Sequence, residues 1–430
     1  MKDLTTTTSR DSTPPRPSVV ARGAVARGAG SRGAAARGEA AELARRGLSE
    51  LGGAAAGIGE IHLGVAERVF RFVGPAGKPV RLAHDAISRG VYTGLRGAAV
   101  AAGHGAAFAA RDAGPVSHTP QGARIVGILN GLIGDTLERE GSELAQPMAI
   151  RVDGEPVAPD GESLARAFPH ARGRVVVFLH GLMETERSWR LGGRESYGER
   201  LARELDCTAI EVRYNTGRRI SENGRSFCEL MTALVEEWPV EIEEIALVGH
   251  SMGGLVARSA CHRATLDGRE WVGRVRHVIS LGSPHTGAPL EQAVHYAAHG
   301  LHRLPETRPF GRFLRRRSGG IRDLRQGSLV DEDWRDRDPE ALRADACQEV
   351  PLLEGATHCF VSATITRSPK HPVGRLLGDM LVLTSSASGR SRTRRLGFKD
   401  EHGLHVGGAN HFALLNHPKV YAQLVRWLRG

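Results

Sequence analysis

Ile245-Ala246-Leu247-Val248-Gly249-His250-Ser251-Met252-Gly253 sets a short apolar run directly before a Gly-x-Ser-x-Gly pentapeptide. The run reads as a buried parallel strand. Gly254-Leu255-Val256-Ala257-Arg258-Ser259-Ala260 follows and reads as a helix. A strand that turns at once into a helix strains its middle residue, and side chains at the flanking positions would collide. Glycines beside Ser251 answer that demand. The serine hydroxyl is lifted above the sheet edge over a helix N-terminus. The Met252 N–H then points where a reacting oxygen would gather negative charge. In a chain with 54 glycines the pentapeptide alone is a weak pattern, since a Gly-rich turn with an incidental serine has the same letters. The strand before it and the helix after it give it mechanical meaning.

Outward from this stretch the alternation continues. Arg174-Val175-Val176-Val177-Phe178-Leu179 is a buried strand, Ala209 to Arg213 the next, and Val275 to Leu281 and Cys359 to Ile365 two more. Met148 to Val152, followed by Asp153-Gly154, reads as the first arm of a hairpin. Ile125 to Glu140, Phe227 to Trp238 and Lys419 to Leu428 read as helices. Strands alternating with helices imply an α/β fold, a mostly parallel sheet covered on both faces. Sites in such sheets lie at the strand C-termini. His180-Gly181, Tyr214-Asn215, Gly249 to Gly253 and Ser283-Pro284-His285 all fall there.

Partners for Ser251 follow from this layout. The loop His180-Gly181-Leu182-Met183 leaves the first buried strand, where enzymes with a serine on such a bend take a second oxyanion N–H. Leu182 and Met252 are the expected pair of donors. An ordinary strand-end turn is the competing reading, and His180 itself reads as a structural residue that hydrogen-bonds the loop. The base should come last in chain order. Among 19 histidines, His411 stands out, because Asn410-His411-Phe412 lies just before the terminal helix. His402, His405 and His417 are rivals, and Pro418 biases His417 toward an extended cap. The acid should follow the strand at Cys359. Asp379, in Gly378-Asp379-Met380-Leu381-Val382, is the expected residue, against a surface-turn reading. Asp323, Asp331, Asp333, Asp400 and Glu401 are its rivals.

Composition sets the frame. The chain has 430 residues, more than one compact core usually holds. Net charge is +10, but the positive charge is nearly all arginine. Arg, Ala and Gly share GC-rich codons, so base composition explains the bias. No aromatic-interleaved basic platform is present, and no nucleic-acid partner is expected. Five scattered cysteines lack CxxC or metal spacing, and neither a metal nor a cofactor is expected. Residues 1–40 are low complexity, with Arg-Gly pairs recurring among alanines, and read as a disordered tail. Residues 41–119 read as a helical extension. Ile58, Ile61, Val65, Val69, Phe72 and Val73 recur at helical spacing, and Leu82, Ile87, Val91 and Leu95 form a second run. Packing against the rest of the chain is the favoured reading, and peripheral membrane contact through these N-terminal helices is the alternative. The N-terminus lacks the apolar core of a secretory signal, and cytoplasm is the default location, with membrane association as its alternative.

The set His180-Gly181-Leu182, Gly249-His250-Ser251-Met252-Gly253-Gly254, Ser283-Pro284-His285-Thr286-Gly287-Ala288-Pro289, Gly378-Asp379-Met380-Leu381-Val382 and Asn410-His411-Phe412 resembles the lipase and esterase branch of the α/β-hydrolase superfamily. It is similar to bacterial triacylglycerol-lipase-like and GPI-inositol-deacylase-like hydrolases. The resemblance covers about Ala145 to Gly430 and implies a lid insertion at about residues 290–350; with the strand–helix alternation that begins at about Pro120, the catalytic domain is expected over residues 120–430. It implies a serine hydrolase acting on carboxylic esters of lipid-like or acyl type, with Ser251 as nucleophile, His411 as base and Asp379 as acid. An acyltransferase or thioesterase on the same residues is a second reading. A non-catalytic scaffold that binds a lipid or a protein is a third.

Overall fold

The structure, a computed structural model, describes residues 38–47, 115–288, 318–337, 347–368, 371–372, 377–391 and 394–429, with isolated positions between 78 and 101. The first run of the expected helical extension, Ile58 to Val73, and residues 289–317 of the expected insertion lie outside the described residues.

Eight strands form one sheet in the order β2-β1-β4-β3-β5-β6-β7-β8. β1 (Ala149–Val152) and β2 (Glu155–Val157) make an antiparallel hairpin. Asp153 and Gly154 turn it at positive φ. β1 also pairs antiparallel with β4 (Thr208–Arg213). From there the sheet is parallel: β4 to β3 (Arg174–Leu179), β5 (Glu244–His250), β6 (Val275–Leu281), β7 (Thr357–Thr364) and β8 (Gly403–Gly407). The C-terminal ends of β3, β5 and β6 lie side by side, with Leu179 opposite Gly249 and His250 opposite Leu281.

The pleat of β3 explains why its residues are nearly all apolar. Val175, Val177 and Leu179 face one core with the helices Ile220–Glu237 and Met252–Leu266. Val176 and Phe178 face the opposite core with Tyr197, Leu201 and the terminal helix Pro418–Arg429. A strand buried on both sides needs a continuous apolar run, whereas a half-exposed strand alternates. Fully burying each such side chain contributes roughly 1.5–3 kcal/mol.

Element ends differ from the sequence expectation where polar capping chemistry sets them. The helix expected from Ile125 begins at Pro120, because the Thr119 side chain accepts the Gly122 amide and Pro120 occupies the first turn. The helix expected from Phe227 begins at Ile220, with Glu222 reaching back to the Arg219 amide at 3.0 Å. β8 was not anticipated: Gly403-Leu404-His405-Val406-Gly407 carries little apolar signal and forms the sheet edge.

Residues 38–47 form a helix that packs along Pro120–Arg139 through Leu43 and hydrogen-bonds the segments before and after it. The Glu39 carboxylate accepts the Ser117 amide at 2.8 Å and the Ser117 hydroxyl at 2.7 Å. The Glu42 carboxylate accepts the Ser142 hydroxyl and the Glu143 amide. Among the described residues no helix is long and apolar enough to cross a membrane. Cys207, Cys228, Cys261 and Cys359 are buried, and all five cysteines are free thiols.

Candidate active site

Ser251 sits between the last residue of β5 and the first of the helix Met252–Leu266, at φ 51° and ψ −119°. This backbone is sparsely populated for a side-chain-bearing residue and stores strain. Its neighbours show why they are glycine. A Cβ on Gly249 would stand 2.2 Å from the Gly254 nitrogen, and one on Gly253 would stand 2.3 Å from the Leu179 carbonyl oxygen. The bend therefore packs backbone on backbone, against the end of β3. The Ser251 amide is fixed by donating to the Leu281 carbonyl at 2.8 Å. Met252 opens the helix, so its N–H has no intrahelical acceptor.

The loop after β3 is held at the two amides that flank Leu182. The Gly181 amide donates to the Glu184 carboxylate at 2.7 Å, and the Met183 amide donates to the Thr216 hydroxyl at 3.2 Å. The Leu182 amide between them has no hydrogen-bond acceptor among the described residues. The Leu182 side chain packs on the core. His180 is fully buried, and burial pushes its pKa down to about 4. Its neutral ring satisfies both nitrogens. Nδ1–H donates to the Gly181 carbonyl at 2.9 Å, and Nε2 accepts the Tyr214 amide at 3.3 Å. The Tyr214 ring stacks on it at 4.4 Å, and the Tyr214 hydroxyl donates to the His180 carbonyl. His180 is thus a structural part of the loop.

Asp379 and His411 meet across two loops at the sheet's C-terminal edge. Asp379 Oδ2 stands 2.8 Å from His411 Nδ1. Asp379 Oδ1 accepts the Leu381 amide at 3.0 Å and the Val382 amide at 2.8 Å. This ring of donors needs a tight turn, provided by Gly378 at φ 58° and Met380 at φ 88°. A Cβ on Gly378 would stand 2.1 Å from the Val382 carbonyl oxygen. The His411 amide in turn donates to the Asp379 carbonyl at 3.0 Å. His411 opens a 3₁₀ turn, His411–Asn416, capped by Asn410, whose side chain accepts the Ala413 amide at 2.9 Å. Its Nε2 is buried without a hydrogen-bond partner. Gly282, next to the Leu281 that anchors Ser251, lies against this ring: a Cβ there would stand 3.2 Å from His411 Cε1.

The rival acids and bases have other partners. Asp323 is buried and pairs with Arg219 at 2.6 Å while accepting the Ile220 amide. Asp331 binds Ser221 and Arg225, and Asp333 accepts the amides of Leu329, Val330 and Gln348. His405 lies against Ser362 and Thr364. His417 Nδ1 accepts the Lys419 amide. Asp400 pairs with Arg390, and Glu401 lies 3.9 Å from His402.

Two residues in this cluster were not anticipated as part of the site. Glu184 is buried beside the bend, and the ring of His250 lies between Glu184 and the His411 loop. A signal existed for Glu184. It is an acid three residues after Gly181, the spacing at which a carboxylate reaches back to a backbone amide.

Residues 170–304 match the family model of the PGAP1-like alpha/beta domain. The eight-stranded, mostly parallel sheet with its helices fits an α/β-hydrolase fold. Within this hydrolase fold the matched segment holds β3, the loop at Leu182 and the bend at Ser251, and it ends before Asp379 and His411. Among solved structures, the mature Bacillus licheniformis lipase BlEst2 is 17% identical, with 59% of this chain and 91% of that chain covered and a TM-score of 0.40. The Pyrobaculum calidifontis esterase is 14% identical, covering 72% of this chain and 90% of its own, with a TM-score of 0.36. The Staphylococcus hyicus lipase is 13% identical over 60% of this chain and 94% of its own, with a TM-score of 0.34. No curated protein matches the sequence.

Proposed function

We propose that this chain is a serine hydrolase of carboxylic esters, with residues 120–430 as its catalytic unit. One observation carries the reading. His411 is held through Nδ1 by a buried carboxylate, which leaves Nε2 buried and unpartnered, and its ring lies against Gly282, the residue after the Leu281 carbonyl that holds the Ser251 amide. A buried polar nitrogen without a partner is costly, and such groups cluster where chemistry needs them.

In this reading Asp379 sets the tautomer of His411, so that Nε2 carries the lone pair. His411 takes the Ser251 proton as Oγ attacks the ester carbonyl. The carbonyl π pair moves onto oxygen, and the N–H groups of Leu182 and Met252 donate to that oxyanion. Losing one such donor costs roughly 3 kcal/mol of barrier in comparable sites. The C–O bond then breaks, and the departing alkoxide takes the proton from His411. Water, deprotonated by the same base, releases the acyl group from Ser251.

The rim supports an apolar acyl chain. Phe412 is 48% exposed directly after His411, and Met380 is 64% exposed directly after Asp379. Large apolar side chains left in water beside the reacting groups suit a lipid-like substrate. The test is hydrolysis of p-nitrophenyl esters of increasing chain length by the wild type and by Ser251→Ala. A rate that rises with chain length and is lost in the variant supports the reading. Equal rates in both proteins reject it.

A further inference from the structure

The ring of His250 occupies a position that the proposed reaction does not use. Its Nδ1 stands 3.0 Å from both carboxylate oxygens of Glu184. Its Nε2 stands 3.3 Å from the carbonyl oxygen of His411. A carboxylate and a carbonyl have no proton to give, so both ring nitrogens donate, and only the imidazolium can do that. His250 is 0% exposed and Glu184 9%. Burial opposes charge on His250, but the Glu184 carboxylate outweighs it and raises the pKa above its ordinary value. Burial likewise opposes charge on Glu184, and His250 outweighs that and lowers its pKa. The other titratable groups acting on the pair are Asp379, His180 and His411, whose ring lies 4.7 Å from that of His250. The edge of Trp189 packs near the His250 ring.

The same Glu184 carboxylate accepts the Gly181 amide at 2.7 Å. The junction is tight: a Cβ on Gly181 would stand 3.0 Å from Glu184 Oε2, from His250 Nδ1 and from Ser251 Cβ. One chain of hydrogen bonds therefore runs from the Gly181 N–H through Glu184 and His250 to the His411 carbonyl. It links the loop after β3, the bend at Ser251 and the base loop, which are far apart in sequence.

We infer that Glu184 and His250 are positioning residues that hold the oxyanion turn at Gly181-Leu182 and the base loop at His411 in register around Ser251. This inference rests on the ester-hydrolase reading above. The physical need is clear, because a misplacement of about 1 Å in such a site costs on the order of 10²-fold in rate. A buried ion pair is weak evidence for stability, and an apolar pair of similar volume would fill the space as well. Charge and two aimed donors matter where geometry must be fixed.

The experiment uses the full chain. The wild type is first shown to hydrolyse a p-nitrophenyl ester and to label at Ser251 with a fluorophosphonate. Failure at that step overturns the hydrolase reading, not the positioning role alone. Glu184→Gln, His250→Gln and the double variant are then compared by kcat, KM, pH profile and thermal midpoint. Each single change lowers kcat roughly 10- to 100-fold with KM within a few-fold, and the double variant loses no more than the worse single. In Glu184→Gln burial is no longer outweighed, so His250 loses its proton below its ordinary pKa, and a fall in kcat with rising pH appears on the acidic side of neutrality. If Glu184→Gln does not fold, His250→Gln carries the same comparison, since its amide still donates to the His411 carbonyl. Single variants with wild-type kcat and pH profile overturn the inference. So do additive losses that merely track the thermal midpoint.

Discussion

His411 and Asp379 face each other at 2.8 Å, 3% and 1% exposed, across two loops separated by a strand. The carboxylate is used completely, with Oδ1 taking two backbone amides and Oδ2 taking the imidazole. Asp379→Asn keeps an oxygen for the two amides and puts an NH₂ against Nδ1. The ring must then flip its tautomer and present an N–H where a lone pair is needed. The expected outcome is a kcat lower by about 10⁴-fold with the fold intact. Steady-state kinetics beside a near-ultraviolet circular dichroism spectrum checks it.

The φ of 51° at Ser251 makes a prediction about stability. A residue held in a sparsely populated backbone region costs about 1–3 kcal/mol, and glycine escapes most of that strain. Ser251→Gly removes the hydroxyl and the strain together. The variant should be inactive yet more stable by about 1 kcal/mol, after the extra chain entropy of glycine is subtracted. Denaturant melting of the two proteins reads this directly. A destabilised glycine variant would show that the bend is relaxed.

Acid should weaken the fold from a stated side. His180 and His358 are buried and have pKa values pushed down to about 4, chiefly by burial. Their unfolded forms take up protons near pH 6.5, so the unfolded state binds more protons and stability falls with acid. Their contribution is complete above that pH and is lost as pH drops toward 4, at roughly 3 kcal/mol for His180. Asp323 acts in the opposite sense. Burial lifts its carboxyl to about 6 despite Arg219, so its contribution is present when protonated and lost as pH rises through 6. Melting midpoints between pH 7 and 4 should fall on acidification, and fall more steeply in Asp323→Asn.

The pair Arg213 and Glu186 is buried, with Arg213 Nε and Nη2 donating to the two carboxylate oxygens at 2.6 and 2.5 Å. Arg213 Nη1 also donates to the Ser117 carbonyl, which ties the segment before Pro120 to β4. Glu186→Gln leaves a buried cation half-paired and should cost about 3–5 kcal/mol. Replacing both residues by apolar ones of similar volume should cost much less. Urea unfolding of the single and double variants separates the two.

Much of this arrangement was legible in the sequence, for physical reasons. A strand buried on both faces must be continuously apolar, so β3 and β5 announced themselves. The bend at Ser251 needed glycines wherever a Cβ would strike backbone, and they stand at Gly249 and Gly253. The edge strand β8 was hidden, because one edge strand of Gly, His and two apolar residues has no periodic signal. The helix starting at Ile220 was read too short, since Ser221, Glu222 and Asn223 are polar and only their cap and partners reveal their place. Glu184 and the His250 ring were missed for a similar reason. Their meaning lies in a contact between three loops, and a linear pattern of letters does not state which loops meet.

Labelling by a fluorophosphonate, read by intact mass and by mapping the modified residue, tests the central claim most directly. The wild type should take one adduct on Ser251. The adduct should be absent in Ser251→Ala, and labelling of His411→Ala should be slower by at least about 10²-fold, as expected for loss of the general base. A folded wild type that takes no adduct, or takes it on another residue, would contradict the account.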